Sequence, residues 1–237
     1  MFSSPLIFLA YSIAGVFARV PNFFSTGQTV ASDGTGESFY SSSWDDGQAK
    51  AKYTNGKSGE YSVTWSGNKG NFVCGKGWNP GGARTVNFTG TFSPNGNAYL
   101  SIYGWTTNPL VEYYIVEYYG THIPYDSPEA QMKGNVTSDG KDYQIFTKVQ
   151  KNKPSIQGTA TFSQYWSVRD GGNKTVGSVG GTISTGNHFK AWEKAGLKMG
   201  KQSYMIVATE GQDSNGTAKV TVGATPIETS IPKSIGV

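Results

Sequence analysis

Cysteine and histidine are almost absent from this chain of 237 residues. The single cysteine, Cys74, excludes an intrachain disulfide, and with only two histidines, His122 and His188, a Cys/His metal site lacks ligands. Cys74 lies in the strand-like run NFVCGKGW and is interpreted as a small buried residue. Neither histidine sits in a motif that would supply the base for a cysteine nucleophile. We therefore expect neither a metal nor a cofactor.

Charged residues are also scarce, at 15% of the chain, and the formal net charge is only +4. The lysines are scattered, with no dense basic run and no interleaved aromatic motif of the kind that binds RNA. This pattern argues against nucleic acid as a partner. A mild positive charge favours solubility and attraction to anionic surfaces such as cell walls.

Long apolar runs are missing except at the N-terminus, where MFSSPLIFLAYSIAGVFA precedes Arg19. Its length and the small residues at its end predict a secretory signal peptide over residues 1–18 rather than a membrane anchor. We therefore expect a secreted, extracellular protein without membrane association after cleavage. Four N-x-T sequons agree with a secretory route, at Asn87, Asn135, Asn173 and Asn215.

What the chain has in abundance is glycine and aromatic residues, the latter at 14%. With little Leu or Glu, this composition disfavours helix and favours many strands joined by tight turns. Turn sequences such as SGNKGN, SPNGN, TTNP, SDGKD and DGGNK separate runs of alternating residues. Strands at this spacing predict an all-β protein whose antiparallel sheets pack as a sandwich or jelly roll.

One segment breaks the strand pattern, GNHFKAWEKAGLKMG at 186–200. Its aromatic residues recur near helical spacing, which predicts a single helix with Thr185 or Asn187 as N-cap. His188 at its start is interpreted as structural. The remaining boundaries are a pro-segment or loose N-terminal arm over 19–37, one catalytic domain over 38–223, and a Pro-containing tail over 224–237.

Two strands each carry a carboxylate among aromatic and β-branched residues. Glu112 lies in NPLVEYYIVEYYG and Glu210 in YMIVATEG. Burying such a group costs folding energy, and an isolated carboxylate pair is typical of glycosidic bond hydrolysis. Strand alternation places Glu117 on the face opposite Glu112. The face of Glu112 is expected to carry Tyr114, Val116 and Tyr118, with Tyr99, Tyr103 and Glu210 from neighbouring strands.

Long ordered blocks of the chain resemble a known family. The strings GEYSVTWSGNKGNFVCGKGWNPG, GNAYLSIYGWTTNPLVEYYIVEYYGT, PSIQGTATFSQYWSVR, TGNHFKAW and YMIVATEG are similar to those of glycoside hydrolase family 11 endo-β-1,4-xylanases, from about Ser38 to Val222. The resemblance implies a β-jelly roll of two curved antiparallel sheets with one helix. It also implies a secreted enzyme, expected to act as a monomer, that hydrolyses internal β-1,4-xylosidic bonds of xylan with retention of configuration.

The resemblance further implies roles for individual residues. Glu112 would be the nucleophile and Glu210 the general acid/base, which suits carboxyl groups roughly 5–5.5 Å apart and a covalent glycosyl-enzyme intermediate. Asn71 occupies the position beside the acid/base where Asn accompanies near-neutral pH optima and Asp acidic ones. The remaining implied cleft residues bind xylose units or form the thumb loop, namely Trp44, Tyr99, Tyr103, Tyr114, Pro154, Gln164 and Tyr204.

Three positions depart from the family pattern. Gln150 replaces an arginine usually found four residues before the thumb proline, and Gln212 replaces an aromatic after ATEG. The segment before Trp44 lacks an aromatic, which leaves open whether Tyr40 reaches the cleft. These departures predict changes at the outer subsites, with reduced activity or an altered chain-length preference.

Two other functions stay open at this point. The chain could be a xylanase-like recognition protein or elicitor in which hydrolysis is incidental, although retention of both glutamates favours the enzyme. A β-glucan hydrolase on a similar jelly roll is disfavoured by the PSI, PLVEYY and ATEG contexts.

Overall fold

The computed structural model describes residues 28–30, 38–124, 127–171 and 177–223. The predictions for 1–18 and 224–237, most of 19–37 and the sequon at Asn173 lie outside these residues. The strands are β1 Gln28–Val30, β2 Phe39–Asp45, β3 Lys50–Asn55, β4 Glu60–Ser66, β5 Asn71–Trp78, β6 Thr85–Thr107, β7 Val111–Tyr119, β8 Gln131–Ser138, β9 Lys141–Ser155, β10 Gly158–Arg169, β11 Gly177–Ser184 and β12 Lys201–Val222, and the helix is α1 Thr185–Lys194.

Two long strands, β6 and β12, organise the fold by pairing with each other along nearly their whole length. One layer runs in the order β1-β2-β5-β12-β6-β7-β10-β9-β8. The other layer is built on the later half of β12 and the earlier half of β6. There β4 pairs with β12 and with β3, and β11 pairs with β6. The sheet thus bends over itself without closing, and the predicted all-β jelly roll with one helix is confirmed.

The structure corrects the prediction that SPNGN separates two strands. Residues 85–107 form the single strand β6, and Pro94 pairs with Gly216 while Asn95 pairs with Asn215 of β12. The register of β12 shifts between Gln212 and Asn215. This irregularity lets both strands pass from one layer to the other while they stay paired. A second correction is that β10 runs parallel to β7, although the other pairs are antiparallel.

Two apolar clusters lie on opposite faces of the long layer. The interlayer core contains the buried Tyr61, Phe88, Tyr113 and Trp192. The other cluster covers the concave face and contains Tyr99, Tyr103, Trp105, Tyr114 and Trp166 among its members. Since successive residues of a strand point to opposite faces, each central strand serves both clusters.

Helix α1 packs its aromatic face into the interlayer core, and the predicted N-cap was wrong. The N-cap is Ser184, without a side-chain capping bond, rather than Thr185 or Asn187. The helix ends before Gly196, whose φ of +79° permits the Leu197 amide to bond the Trp192 carbonyl at 2.8 Å. This is a Schellman ending, in which the glycine adopts the left-handed conformation.

Candidate active site

The candidate site occupies the concave face, where three adjacent strands bring two carboxylates together. Glu112 stands on β7 and Glu210 on β12, and β6 lies between these strands, with Tyr103 paired to Tyr114 on one side and Ile206 on the other. The cleft has a volume of about 820 Å³. It is lined by all ten residues singled out from the sequence, Trp44, Asn71, Tyr99, Tyr103, Glu112, Tyr114, Pro154, Gln164, Tyr204 and Glu210.

Glu112 is held by two neutral donors, one on each oxygen. The Tyr103 hydroxyl donates to Oε1 at 2.8 Å, and Gln164 Nε2 donates to Oε2 at 2.6 Å. Trp105 Nε1 donates in turn to the Tyr103 hydroxyl at 2.7 Å, which fixes the direction of that hydroxyl. With only 8% of its surface exposed, Glu112 is oriented from both sides.

Glu210 has one occupied oxygen and one without a partner. Asn71 Nδ2 donates to Oε1 at 3.0 Å, whereas Oε2 is buried and has no hydrogen-bond partner among the described residues. The next residue, Gly211, leaves room for the Phe72 ring, because a Cβ at Gly211 would stand 2.6 Å from a carbon of that ring. Glu210 therefore lines the cleft with one of its two oxygens free of protein hydrogen bonds among the described residues.

The two carboxyl groups differ in proton affinity. Burial, followed by the negative charge of Glu112, raises the pKa of Glu210 to about 7 despite the Asn71 hydrogen bond. Burial also raises the pKa of Glu112, but the hydrogen bonds from Gln164 and Tyr103, together with the nearby Tyr114 hydroxyl, oppose the rise. Tyr114 acts on the pKa values of both groups. The site is thus arranged to hold one proton on Glu210 while Glu112 is ionised.

Many aromatic rings line the cleft. Tyr114 stacks on Trp166 with ring centroids 3.7 Å apart and planes 2° from parallel. Tyr204 packs against Tyr103 on one side and Tyr40 on the other. Flat apolar rings with hydroxyl groups suit sugar rings, which have apolar faces and polar edges. Trp166 was missed from the sequence, although its alternation with Gln164 on β10 could have indicated it.

The thumb is the hairpin formed by β9 and β10, whose turn is at residues 156–157. Pro154, Ser155 and Ile156 line the cleft from this hairpin. The Ser155 hydroxyl donates to the Gly158 carbonyl at 2.6 Å and accepts from the Gln157 amide at 3.0 Å, so the turn is tied internally. At the base of the hairpin, Gln164 contacts Glu112.

The three departures noted in the sequence all lie in the cleft. Gln150, Gln212 and Tyr40 are lining residues, and Tyr40 therefore reaches the cleft. Gln150 Nε2 donates to Gln164 Oε1 at 3.0 Å.

The alternation of faces predicted for β7 holds for Tyr114 and Val116 but was wrong for Tyr118. The Tyr118 hydroxyl donates to the Gly180 carbonyl of the other layer at 3.0 Å. The β6–β7 register shifts between Leu100 and Ser101, which turns this side chain inward.

Glu117 lies on the opposite face of β7, as alternation predicted, and is fully buried there. Lys141 Nζ lies 2.7 Å and Arg169 Nη1 3.5 Å from its Oε2, and the Tyr143 hydroxyl donates to its Oε1. This carboxylate is neutralised within the interlayer core and does not reach the cleft.

Among the described residues, no group of three His, Cys, Asp or Glu side chains is placed to hold a metal ion. Cys74 is buried in the interlayer core, and burial raises the pKa of its thiol well above the ordinary range. His188 is buried as well, packed edge-on against Tyr143. No helix in the described residues is long enough and apolar enough to cross a membrane.

Comparison with known proteins accounts for this arrangement. The sequence profile of Glycosyl hydrolases family 11 matches residues 36–221. The chain belongs to glycosyl hydrolase family 11. The resemblance seen in its sequence is therefore confirmed, as is the prediction that it is a glycoside hydrolase.

Named family members are similar over most of the chain. Ethylene-inducing xylanase 1 of Botryotinia fuckeliana is 56% identical over 196 residues, covering 83% of this chain and 67% of that protein. Endo-1,4-beta-xylanase 11A of the same species is 49% identical over 230 residues, covering 93% and 98%. A structure of a Trichoderma reesei endo-1,4-beta-xylanase matches with a TM-score of 0.69 and 41% identity, covering 78% of this chain and 98% of that one.

Proposed function

We propose that this family 11 protein is a secreted endo-1,4-β-xylanase that cleaves internal β-1,4-xylosidic bonds with retention of configuration. The observation that carries the proposal is the pair of buried carboxylates in one aromatic cleft, of which Glu112 is held by donors and Glu210 keeps one oxygen unpaired. The names of the similar enzymes, including Endo-1,4-beta-xylanase 11A, support xylan as the substrate. The same enzyme would act as a monomer.

In the first step, Glu112 is the nucleophile and Glu210 the general acid. A Glu112 oxygen bonds to the anomeric carbon while the glycosidic C–O bond breaks, and the proton of Glu210 passes to the departing oxygen. A pKa of about 7 for Glu210 keeps that proton available at mildly acidic pH. The donors Tyr103 and Gln164 keep Glu112 ionised and aim it at the anomeric carbon.

In the second step, the roles reverse because the charge of Glu112 is consumed in the glycosyl ester. Removal of that charge lowers the pKa of Glu210, which then accepts a proton from water. The water oxygen attacks the anomeric carbon and releases Glu112. Two inversions at the same carbon leave the product with its original β configuration.

The aromatic walls are proposed to bind xylose units on both sides of the cut. Trp44, Tyr99 and Tyr204 supply rings and hydroxyls, and Pro154 closes the cleft from the thumb. A volume of about 820 Å³ exceeds the need of a single sugar ring and suits attack within a chain. We further propose that residues 38–223 form the catalytic domain, preceded by a cleaved signal over 1–18 and an arm over 19–37, and followed by a tail over 224–237.

The deciding experiment follows the anomer formed first. Proton NMR during hydrolysis of unbranched β-1,4-xylan should show the β-anomer before mutarotation, and carboxymethylcellulose should release no reducing ends. First appearance of the α-anomer would contradict retention, and cleavage of carboxymethylcellulose alone would point to a β-glucan hydrolase. N-terminal sequencing of protein recovered from culture medium tests the signal peptide.

The division of roles has its own test. Glu210→Gln should lose most activity on xylan but still react with an aryl xylobioside whose phenol leaves without protonation. Added azide should then restore turnover by attacking the glycosyl-enzyme, giving a β-glycosyl azide. Glu112→Gln should give no such rescue. Equal rescue of both variants would contradict the assignment.

A second candidate function is recognition by a host, which the name Ethylene-inducing xylanase 1 of a 56% identical relative brings forward. If recognition is independent of hydrolysis, the Glu112→Gln variant should still induce ethylene in leaf tissue at the parent's dose. If only the active enzyme induces ethylene, the response follows from xylan cleavage.

A further inference from the structure

The thumb hairpin carries a chain of two carboxamides that ends on Glu112. Gln150 on β9 donates from Nε2 to Gln164 Oε1 at 3.0 Å, and Gln164 on β10 donates from Nε2 to Glu112 Oε2 at 2.6 Å. Gln150 and Gln164 both line the cleft. These two hydrogen bonds connect Gln150 to Glu112 Oε2 through the side chain of Gln164.

This chain has a direction that the carboxylate requires. An ionised carboxylate only accepts hydrogen bonds, so the NH₂ end of Gln164 must face Glu112 and its carbonyl end must face away. A donor at position 150 satisfies that carbonyl end and holds the amide in this orientation. An acceptor there would favour the reverse orientation, with the Gln164 carbonyl oxygen turned against Glu112.

We propose that Gln150 is a positioning residue that fixes the amide orientation of Gln164 and thereby keeps Glu112 ionised and aimed. This inference rests on the proposed function of Glu112 as nucleophile. It also explains how the protein functions with glutamine at position 150, where the family resemblance leads us to expect arginine. Both side chains offer an N–H donor to Gln164, and glutamine does so without a fixed charge beside the catalytic pair.

Electrostatics around the thumb are consistent with this role. Lys148 lies on the same face of β9 as Gln150 and lines the cleft. Its positive charge lowers the pKa of both Glu112 and Glu210, although less than burial raises them. Lys148 therefore supplies a positive charge that acts on Glu112 and Glu210, while Gln150 supplies a neutral hydrogen bond to Gln164.

The test uses four substitutions that separate donation from charge. Gln150→Arg keeps a donor, Gln150→Leu removes both donor and acceptor, and Gln150→Glu leaves only an acceptor. Lys151→Gln is the matched control, because it makes the same change of −1 in charge as Gln150→Glu at the next position, which is exposed and does not line the cleft. Thermal unfolding of each variant verifies that it is folded.

The expected readout is the acid limb of the pH profile of kcat/KM, which reports ionisation of the nucleophile. Loss of the oriented donor raises the pKa of Glu112, so this limb should move to higher pH by about half a unit in Gln150→Leu and by at least about one unit in Gln150→Glu. At the pH optimum, kcat should fall by about threefold and tenfold respectively, with KM within about twofold. Lys151→Gln should keep the parent profile, and Gln150→Arg, which keeps a donor and adds a positive charge, should not move the acid limb to higher pH.

A second readout reports the amide itself. The side-chain NH₂ resonances of Gln164 should titrate with Glu112 in the parent and lose that titration in Gln150→Glu. An unchanged acid limb in folded Gln150→Leu and Gln150→Glu, or the same shift in Lys151→Gln, would overturn the inference. Absence of xylan cleavage by the parent would instead refute the proposed function, so the two failures are distinguishable.

Discussion

Glu112 and Glu117 lie five positions apart on β7, yet the protein treats these two buried carboxylates in opposite ways. Glu112 faces the cleft and is held by the neutral donors of Tyr103 and Gln164. Glu117 faces the interlayer core and is neutralised by Lys141 and Arg169. One carboxylate keeps its charge available for chemistry, and the other has its charge compensated within the fold.

The difference shows how one strand serves both function and stability. Neutral donors orient a carboxylate without cancelling its charge, so burial still raises the pKa of Glu112 and of the neighbouring Glu210. Direct ion pairs at Glu117 tie β7 to β9 and β10. We expect substitutions at the two sites to affect separate properties.

The largest effect should come from Glu112→Gln. Removal of the proposed nucleophile is expected to lower kcat on xylan at least about a thousandfold. The free energy of unfolding should stay the same or rise, because a buried charge is replaced by a neutral isostere. Initial rates and denaturant unfolding measure both quantities, and a folded variant with more than a tenth of the parent's kcat would refute the role.

Glu117→Gln should produce the converse result. It leaves two cations around a fully buried site without their counter-charge, which should lower the free energy of unfolding by about 3 kcal/mol. Lys141→Met should cost less, because Arg169 still neutralises Glu117. Below the unfolding transition, kcat should remain within about twofold of the parent. A large loss of kcat with unchanged stability would remove the contrast between the two faces.

The core side also contains a pH-sensitive group, His188, near Asp139 and Lys141. Burial lowers the pKa of His188 to about 4, against 6.5 for the free side chain. Between these values only the unfolded chain binds the proton, so stability falls as the pH decreases from 6.5 to 4, by on the order of 3 kcal/mol. In His188→Gln this pH-dependent part should disappear from urea unfolding curves collected at pH 7 and pH 4. If the free energy of unfolding of His188→Gln still falls as much between pH 7 and pH 4 as that of the parent, another group is responsible.

The smallest effect should be a shift in the pH profile at the cleft. Asn71→Asp places a second carboxyl group at the 3.0 Å contact with Glu210, and the two groups then hold a proton between them. The active form with one shared proton extends to lower pH, so the optimum should move about one unit toward acid. Stability at pH 7 should change little, and a shift toward alkaline pH would contradict this account of Asn71.

The sequence predicted the centre of the cleft well because strand alternation is a local rule. It placed Glu112 with Tyr114 and turned Glu117 to the other face. It failed at Tyr118, because a register shift against β6 cannot be seen in one strand alone. It also divided β6 at SPNGN, since the pairing with β12 that keeps this strand continuous comes from far along the chain. The contact from Gln150 to Gln164 likewise depends on how two strands of a hairpin align.

The position of Glu210 has a consequence for how the protein folds. Glu210 belongs to β12, the final strand of the described chain, which pairs with β4, β5 and β6. These pairings join distant parts of the chain, and such contacts form slowly. Until β12 docks, Glu112 lacks the neighbouring carboxyl group of Glu210, and the apolar surface of β6 is uncovered. Recovery of activity during refolding should therefore follow the last long-range step, and intermediates that lack it should be both inactive and prone to aggregate.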